Sequence, residues 1–366
     1  MKFLEFLKKK DIEFSVKRYF IDAMGAMAHG LFASLLIGTI LKSIGLIPNL
    51  EIFAQIGGYA QAVAGCAMAV AIANALHAPA FVMYSAAAVG YAANALGGAG
   101  GPIAVFIIAV IATELGKLVS KETKVDIIVT PFVTVVSGGI LSVFVAPWIG
   151  TLVGYLSNSI GWAMTQQPLV LGLLVAVIMG ISLTLPISSA AICAGLGLSG
   201  MAQIAADGST LALNYEGLAL AGGAAVAGCC AHMVGFAVMS FRENGVGGLI
   251  SQGIGTSMIQ MPNLIKNPRL WIPPVLASAI TGPLSTCVFG LKMYGAAINS
   301  GMGTCGLLGP IGIMLGWHDG SYPDSVGCID YVGLVLICFV LPAILSFIIS
   351  EILRKIGWIK ENDLKL

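Results

Sequence analysis

The sequence predicts an all-α polytopic membrane protein of about ten transmembrane helices with two re-entrant hairpins. Three observations carry that prediction. The 366 residues are 58% hydrophobic and only 10% charged, where a soluble domain carries roughly 25% charged residues. Apolar runs of about 20 residues, the length that crosses a bilayer core as a helix, recur along nearly the whole chain. The few charges cluster between those runs. A net charge of +1 excludes a broad basic field for nucleic acid. The eight cysteines form no C-x-x-C pair and sit mostly in apolar runs, so they read as small buried hydrophobes, with no metal or other cofactor expected.

Residues 1–20, MKFLEFLKKKDIEFSVKRYF, mix phenylalanines with Lys8, Lys9, Lys10, Lys17 and Arg18, which suits a cytoplasmic amphipathic helix lying among lipid headgroups. The apolar stretch that follows, from about Ile21 to Ile47, exceeds a signal-peptide core, so it is expected to stay in the membrane. Crossings are predicted near 22–45, 52–75, 79–97, 102–119, 125–146, 168–186, 212–240, 271–292 and 327–353, with a tenth within 147–165 or 187–206. Basic residues set the orientation. The N-terminus, the Lys117–Lys121–Lys124 loop, the segment with Arg242, Lys266 and Arg269, and the C-terminus with Arg354, Lys355, Lys360 and Lys365 are all assigned to the cytoplasm.

An even number of crossings must separate any two cytoplasmic sites. Three apolar segments lie between Lys266 and Arg354, so one of them does not cross. The segment most broken by glycine and proline is 297–316, which contains Gly301, Gly303, Gly306, Gly309, Pro310 and Gly312. It is therefore predicted to enter and leave on one side, and broken helices of this kind line binding sites in transporters. A second broken segment, Leu185 to Asp207, contains Pro186 and shares Ser-Gly-Met with the first, Ser199–Met201 against Ser300–Met302.

Several chemical motifs can be weighed. GMGTCG (Gly301–Gly306) and GLGLSG (Gly195–Gly200) both match G-x-G-x-x-G. A chain with 47 glycines yields about one such match by chance, and no strand precedes either, which argues against a nucleotide cradle. The G-x-S-G at Gly197–Gly200 and A-H-x-x-G at Ala231–Gly235 resemble rhomboid protease motifs, but the stretch between Ser199 and His232 is too short and polar for the crossing a rhomboid needs. Cys229 and His232, with Cys230 beside them, offer too few ligands on one turn for a closed metal site.

Polar residues within membrane runs are functional candidates by default, and here they are His29, Asn94, Glu114, Glu216, His232, Lys292 and Asn299. Glu114 and Lys292 lie near helix ends and are expected to snorkel. His232 and Asn299 are better placed for a ligand. The segment Leu249–Pro274 is amphiphilic and broken by Gly253, Gly255, Pro262, Pro268, Pro273 and Pro274, as a gate or a loop packed against a binding site would be.

Five runs together resemble one family: TKVDIIVTP (123–131), LTLPISSAAI (183–192), GCCAHMVGFAV (228–238), QGIGTSMIQMPNLIKNPRLWIPP (252–274) and GMGTCGLLG (301–309). They resemble the membrane subunit IIC (EIIC) of the bacterial phosphotransferase system, in the single-domain branch that includes perfringolysin-regulator-like proteins. The resemblance covers nearly the whole chain. It implies a homodimer in the bacterial inner membrane and an elevator-like transporter. Residues 21–166 would form a scaffold and dimerisation domain, and 167–366 a transport domain carrying the hairpins near 185–207 and 297–316.

The chain departs from the family in two ways. It carries no IIB domain, so sugar phosphorylation would fall to separate IIA and IIB partners and the chain itself is not expected to be an enzyme. The first hairpin also lacks the glutamate that sugar permeases pair with a histidine, so Glu216 and His232 would replace that pair by residue type alone. The expected solute is small and polar, a sugar or related metabolite. It would be held by Thr184, Ser188, Ser189, His232, Gln252, Thr256, Asn299 and Thr304, with Pro186, Gly253, Gly255, Pro262, Gly301, Gly303 and Gly306 shaping hairpins and gate. The alternative is a membrane sensor or regulator that keeps this fold; an intramembrane serine protease is a third reading.

Overall fold

The computed structural model describes residues 2–45, 49–200, 215–318 and 325–366, and every regular element among them is helical. The last part of the first broken segment, 201–207, lies outside the described residues. The chain divides into two compact units, Met1–Val153 and Gly154–Leu366.

The first unit contains α1 (Lys2–Lys9), α2 (Met24–Leu31), α3 (Ile37–Ile44), α4 (Glu51–Ala62), α5 (Ala64–Ala75), α6 (Ala80–Gly97) and α7 (Gly101–Val119). Helix α8 (Asp126–Ala163) begins there and runs into the second unit. The second unit continues with α9 (Pro168–Thr184), α10 (Ser189–Leu196), α11 (Tyr215–Met239), α12 (Phe241–Ile250), α13 (Met261–Lys266), α14 (Ile272–Pro283), α15 (Ala297–Ser300), α16 (Leu308–His318), α17 (Cys328–Val335) and α18 (Leu341–Lys355).

Each of the nine predicted apolar runs falls on helix, with breaks in places hydropathy does not reveal. Among the described residues, six helical stretches are long and apolar enough to cross a membrane, or seven if α4 and α5, bent by 48° at their junction, form one span. One stretch, Ala80–Val119, is 40 residues long, about 60 Å of helix and twice a bilayer core. It turns back on itself at Gly98, whose φ of +53° suits glycine. The turn brings Gly101 against the Asn94 side chain and packs α6 along α7. The predicted run at 125–146 and the candidate crossing at 147–165 lie instead on the single helix α8, whose internal Pro131 and Pro147 do not end it.

Charges in the first unit are satisfied internally. Glu114 and Lys117 are 9% and 2% exposed, so the expected snorkelling of Glu114 is replaced by a buried network. Lys117 Nζ donates to the carbonyls of Asp11 (2.6 Å) and Leu76 (2.8 Å) and pairs with Glu114 at 3.2 Å. Tyr19 donates to Glu114 at 3.1 Å, and Arg18 donates to the Asp11 carboxylate at 2.8 Å and to the Leu76 carbonyl at 2.9 Å. These bonds anchor the end of α1, whose Leu7 is buried, to the C-terminal ends of α5 and α7. The Arg18 hydrogen bond, helped by His77, holds the Asp11 carboxyl at about 2, below its ordinary value of 3.8.

The core of the second unit is α11, packed by α9, α14 and α18. Its apolar residues surround the helix without forming a stripe, as a helix buried on all sides requires. Small residues permit the close approach: a Cβ on Gly228 would lie 1.9 Å from the Ala176 carbonyl oxygen of α9. Where lipid is no worse a neighbour than another apolar helix, such close backbone contact supplies much of the association energy.

Two predictions follow from this packing. Gly228→Ala should destabilise the protein by about 1–3 kcal/mol, the usual cost of overpacking. Gly139→Ala on α8, where a Cβ meets nothing within 4 Å, should be neutral; thermal unfolding in detergent compares the two. Because Asp11 titrates lower when folded, its stabilisation is complete above the unfolded carboxylate's range and is lost as pH falls from about 4 to about 2. The difference in unfolding temperature between wild type and Asp11→Asn should therefore be constant near neutrality and close across that window.

Candidate functional site

Helices α9 and α11 come close enough for their side chains to share hydrogen bonds. Gly180 makes room for the imidazole of His232; a Cβ there would fall 2.4 Å from the ring. One turn on, the Thr184 hydroxyl lies 3.0 Å from His232 Nδ1 and 2.8 Å from the Ser257 hydroxyl, and donates within 3.2 Å of the Gly180 carbonyl. Thr184, His232 and Ser257 are all fully buried. The rings of Trp271 and Phe236 stand 5.9 Å and 6.2 Å from the imidazole. His232 Nε2 is buried and has no hydrogen-bond partner among the described residues. An unsatisfied buried nitrogen is costly and poised for a polar ligand.

The two broken segments form a second layer beside α11. Thr184 ends α9, Pro186 follows, and α10 begins under a cap in which Ser188 Oγ accepts from the Ala191 N–H at 3.2 Å. The segments are tied reciprocally. Ser189 donates to the Gly301 carbonyl, Ser300 to the Leu198 carbonyl and Ser199 to the Gly295 carbonyl, each at 2.7 Å. The Gly200 N–H adds a 2.8 Å bond to the Met293 carbonyl. Of the two serines of the repeated Ser-Gly-Met tripeptide, Ser300 thus bonds the opposite segment and Ser199 the residues just before it. Gly301 sits against the backbone of Ser189, and Gly303, at φ +51°, against Cys229 and Cys230 of α11. The neighbouring Thr304 is fully buried with its hydroxyl unpartnered among the described residues.

The structure therefore gathers Thr184 and His232 at one point, with Thr304 beside the same stretch of α11. Other predicted residues have local duties. Thr256 Oγ1 accepts from the Met258 N–H at 3.2 Å, and the Gln252 amide donates to Ser240 Oγ (2.8 Å) and the Gly248 carbonyl (3.1 Å). Asn299 is half-buried against Gly312. Gly253 and Gly255 lie in the wide turn Ser251–Gly255, and Pro262 in the first turn of α13.

Sequence reasoning passed over Ser257, Phe236 and Trp271. Ser257 neighbours the chosen Thr256, and only the turn geometry reveals which hydroxyl reaches Thr184. Glu216 does not serve as a partner for His232. It lies at the start of the same helix, sixteen residues or about 24 Å away, and pairs with Lys292 at 2.9 Å, which also accounts for that lysine.

Two other readings fail on geometry. His232 Nδ1 engages Thr184, while Ser199 is bonded to Gly295, so no serine–histidine dyad forms. In GMGTCG the N–H groups of Gly301, Met302 and Cys305 are taken by the carbonyls of Ile298, Asn299 and Met302, so they are not offered to a phosphate.

Comparison with known proteins places this arrangement in context. A model of the family described as "Phosphotransferase system, EIIC" matches residues 21–366. Comparison with curated proteins finds no match. Among solved structures, the chain is similar to the transporter ChbC, the IIC component from the N,N'-diacetylchitobiose-specific phosphotransferase system. That similarity has a TM-score of 0.31 and 16% identity, and covers 92% of this chain and 96% of that one. With apolar helices throughout, five motifs on one fold and a family match over nearly all its length, the chain belongs to the EIIC family of phosphotransferase-system membrane subunits.

Proposed function

We propose that the protein carries a small polar solute, a sugar or close relative, across the bacterial inner membrane and binds it at the Thr184–His232–Ser257 cluster. The observation that carries this reading is the unpartnered His232 Nε2, buried beside the rings of Trp271 and Phe236. A sugar presents hydroxyls to such a nitrogen and C–H faces to such rings, so one ligand satisfies both surfaces. The Thr304 hydroxyl, also without a partner among the described residues, is a further donor beside α11. The segments 185–207 and 297–316 act as two re-entrant hairpins, and residues 167–366 move the solute by an elevator-type motion relative to 21–166. The exposed apolar side chains of α8, including Ile128, Phe132, Phe144 and Trp148, suit a homodimer contact or lipid. Both termini face the cytoplasm, and any phosphorylation of the incoming sugar is performed by separate IIA and IIB subunits.

A screen of sugars and related metabolites against the purified protein should find at least one that raises its unfolding temperature and enters liposomes containing it. Loss of one to two hydrogen bonds to the ligand in His232→Ala should weaken that binding about ten- to a hundred-fold. Binding without uptake would favour a sensor with this fold, and neither binding nor uptake would overturn the proposal. Ser257→Ala should weaken binding less than His232→Ala, because its hydroxyl reaches the site through Thr184.

A further inference from the structure

Residues 358–366 are bound to the region 244–267 that follows α11. The Leu364 side chain is fully buried, and its carbonyl accepts from both Asn244 Nδ2 (2.8 Å) and Gln260 Nε2 (3.0 Å). The Lys365 carbonyl accepts from Asn263 Nδ2 at 2.9 Å, the Trp358 carbonyl from Asn267 Nδ2 at 3.0 Å, and Leu366 N–H donates to Asn244 Oδ1 at 2.9 Å. Asn267 also reaches the Asp363 carboxylate at 2.8 Å, and the Arg269 guanidinium lies 5.1 Å from the Trp358 ring centre. Four side-chain amides of the 244–267 region thus hold the tail largely by its backbone.

The same amides continue inward. Asn263 Nδ2 also donates to Gln260 Oε1 (2.8 Å), Gln260 Nε2 to Gln252 Oε1 (3.0 Å), and Gln252 Nε2 to Ser240 and the Gly248 carbonyl. Every amide hydrogen of Gln252, Gln260 and Asn263 is used, and all three residues are buried. Such a chain is stable only when complete, because a half-satisfied buried network costs more than it returns. Ser257, which bonds Thr184 and through it reaches His232, lies between Gln252 and Gln260 in sequence, the two glutamines fixed by this chain.

We infer that residues 358–366 form an intramolecular latch. Docked, the tail holds the 251–263 segment, and with it Ser257, over the site; released, it orphans the Gln260 and Asn263 amides and loosens that segment. The inference rests on reading the His232 cluster as the site, but its test requires no solute and so fails or succeeds separately from that reading.

Hydrogen–deuterium exchange of the full chain in detergent provides the test. Two variants release the tail from opposite sides: Asn244→Ala with Asn263→Ala, and Leu364→Gln. In each, the amides of 358–366 and of 251–261 should exchange at least about five-fold faster, while α11 and α14 keep their protection. Faster exchange in the tail with 251–261 unchanged would overturn the latch, as would a tail that stays protected in the double variant. Should the double variant also strip protection from α11, Leu364→Gln decides the question.

Discussion

Within hydrocarbon, each backbone and side-chain polar group must find its partner inside the protein. The second unit meets this requirement around α11 at all but a few of the described atoms, His232 Nε2 among them, and the helix can carry a histidine through its buried centre only because small residues bring its neighbours into contact. Gly228 lies against the Ala176 carbonyl, Gly180 against the His232 ring, and Gly172 of α9 against Gly282 of α14. Without the first two contacts, Thr184 would not reach His232, and the imidazole would have two unsatisfied nitrogens instead of one. The packing and the chemistry of the site are therefore one arrangement.

The same constraint explains the charges. Lys117 and Glu114 sit at low exposure beside each other, with Tyr19 donating to Glu114 and Lys117 donating to two backbone carbonyls. In the second unit Arg354 pairs with Glu243 at 2.7 Å and donates to the Met239 carbonyl at 3.1 Å, joining α18 to the end of α11. A buried ion pair seldom stabilises much beyond a well-packed apolar alternative, but the loss of one member is severe. Such pairs specify which helix end meets which.

Much of the broken architecture was legible in the residues. Glycine and proline density singled out 297–316, and Ser-Gly-Met linked it to 185–207; Ser300 of that tripeptide bonds Leu198 of the other segment, and Ser199 bonds Gly295 just before 297–316. Thr184 and His232, taken from separate motifs, meet at 3.0 Å. Glu216 was misplaced because residue type carries no information about height along a helix. Ser257 was missed because neighbouring hydroxyls are equivalent until a turn aims one inward; Glu114 was named but expected to snorkel, because a charge near a helix end can snorkel or pair and hydropathy cannot tell which.

Hydropathy was enough to indicate a helical membrane protein and to single out an intramembrane histidine, because both follow from the average cost of placing each residue type in lipid; the family came from the resemblance of five motif runs. They could not establish the turn at Gly98, the continuity of α8 through Pro147, the missing hydrogen-bond partner of His232 Nε2 among the described residues or the amide chain from Gln252 to the tail. Those features depend on which atoms stand within about 3 Å of one another, and residues as far apart in sequence as 184 and 257, or 244 and 364, acquire that proximity only when helices pack.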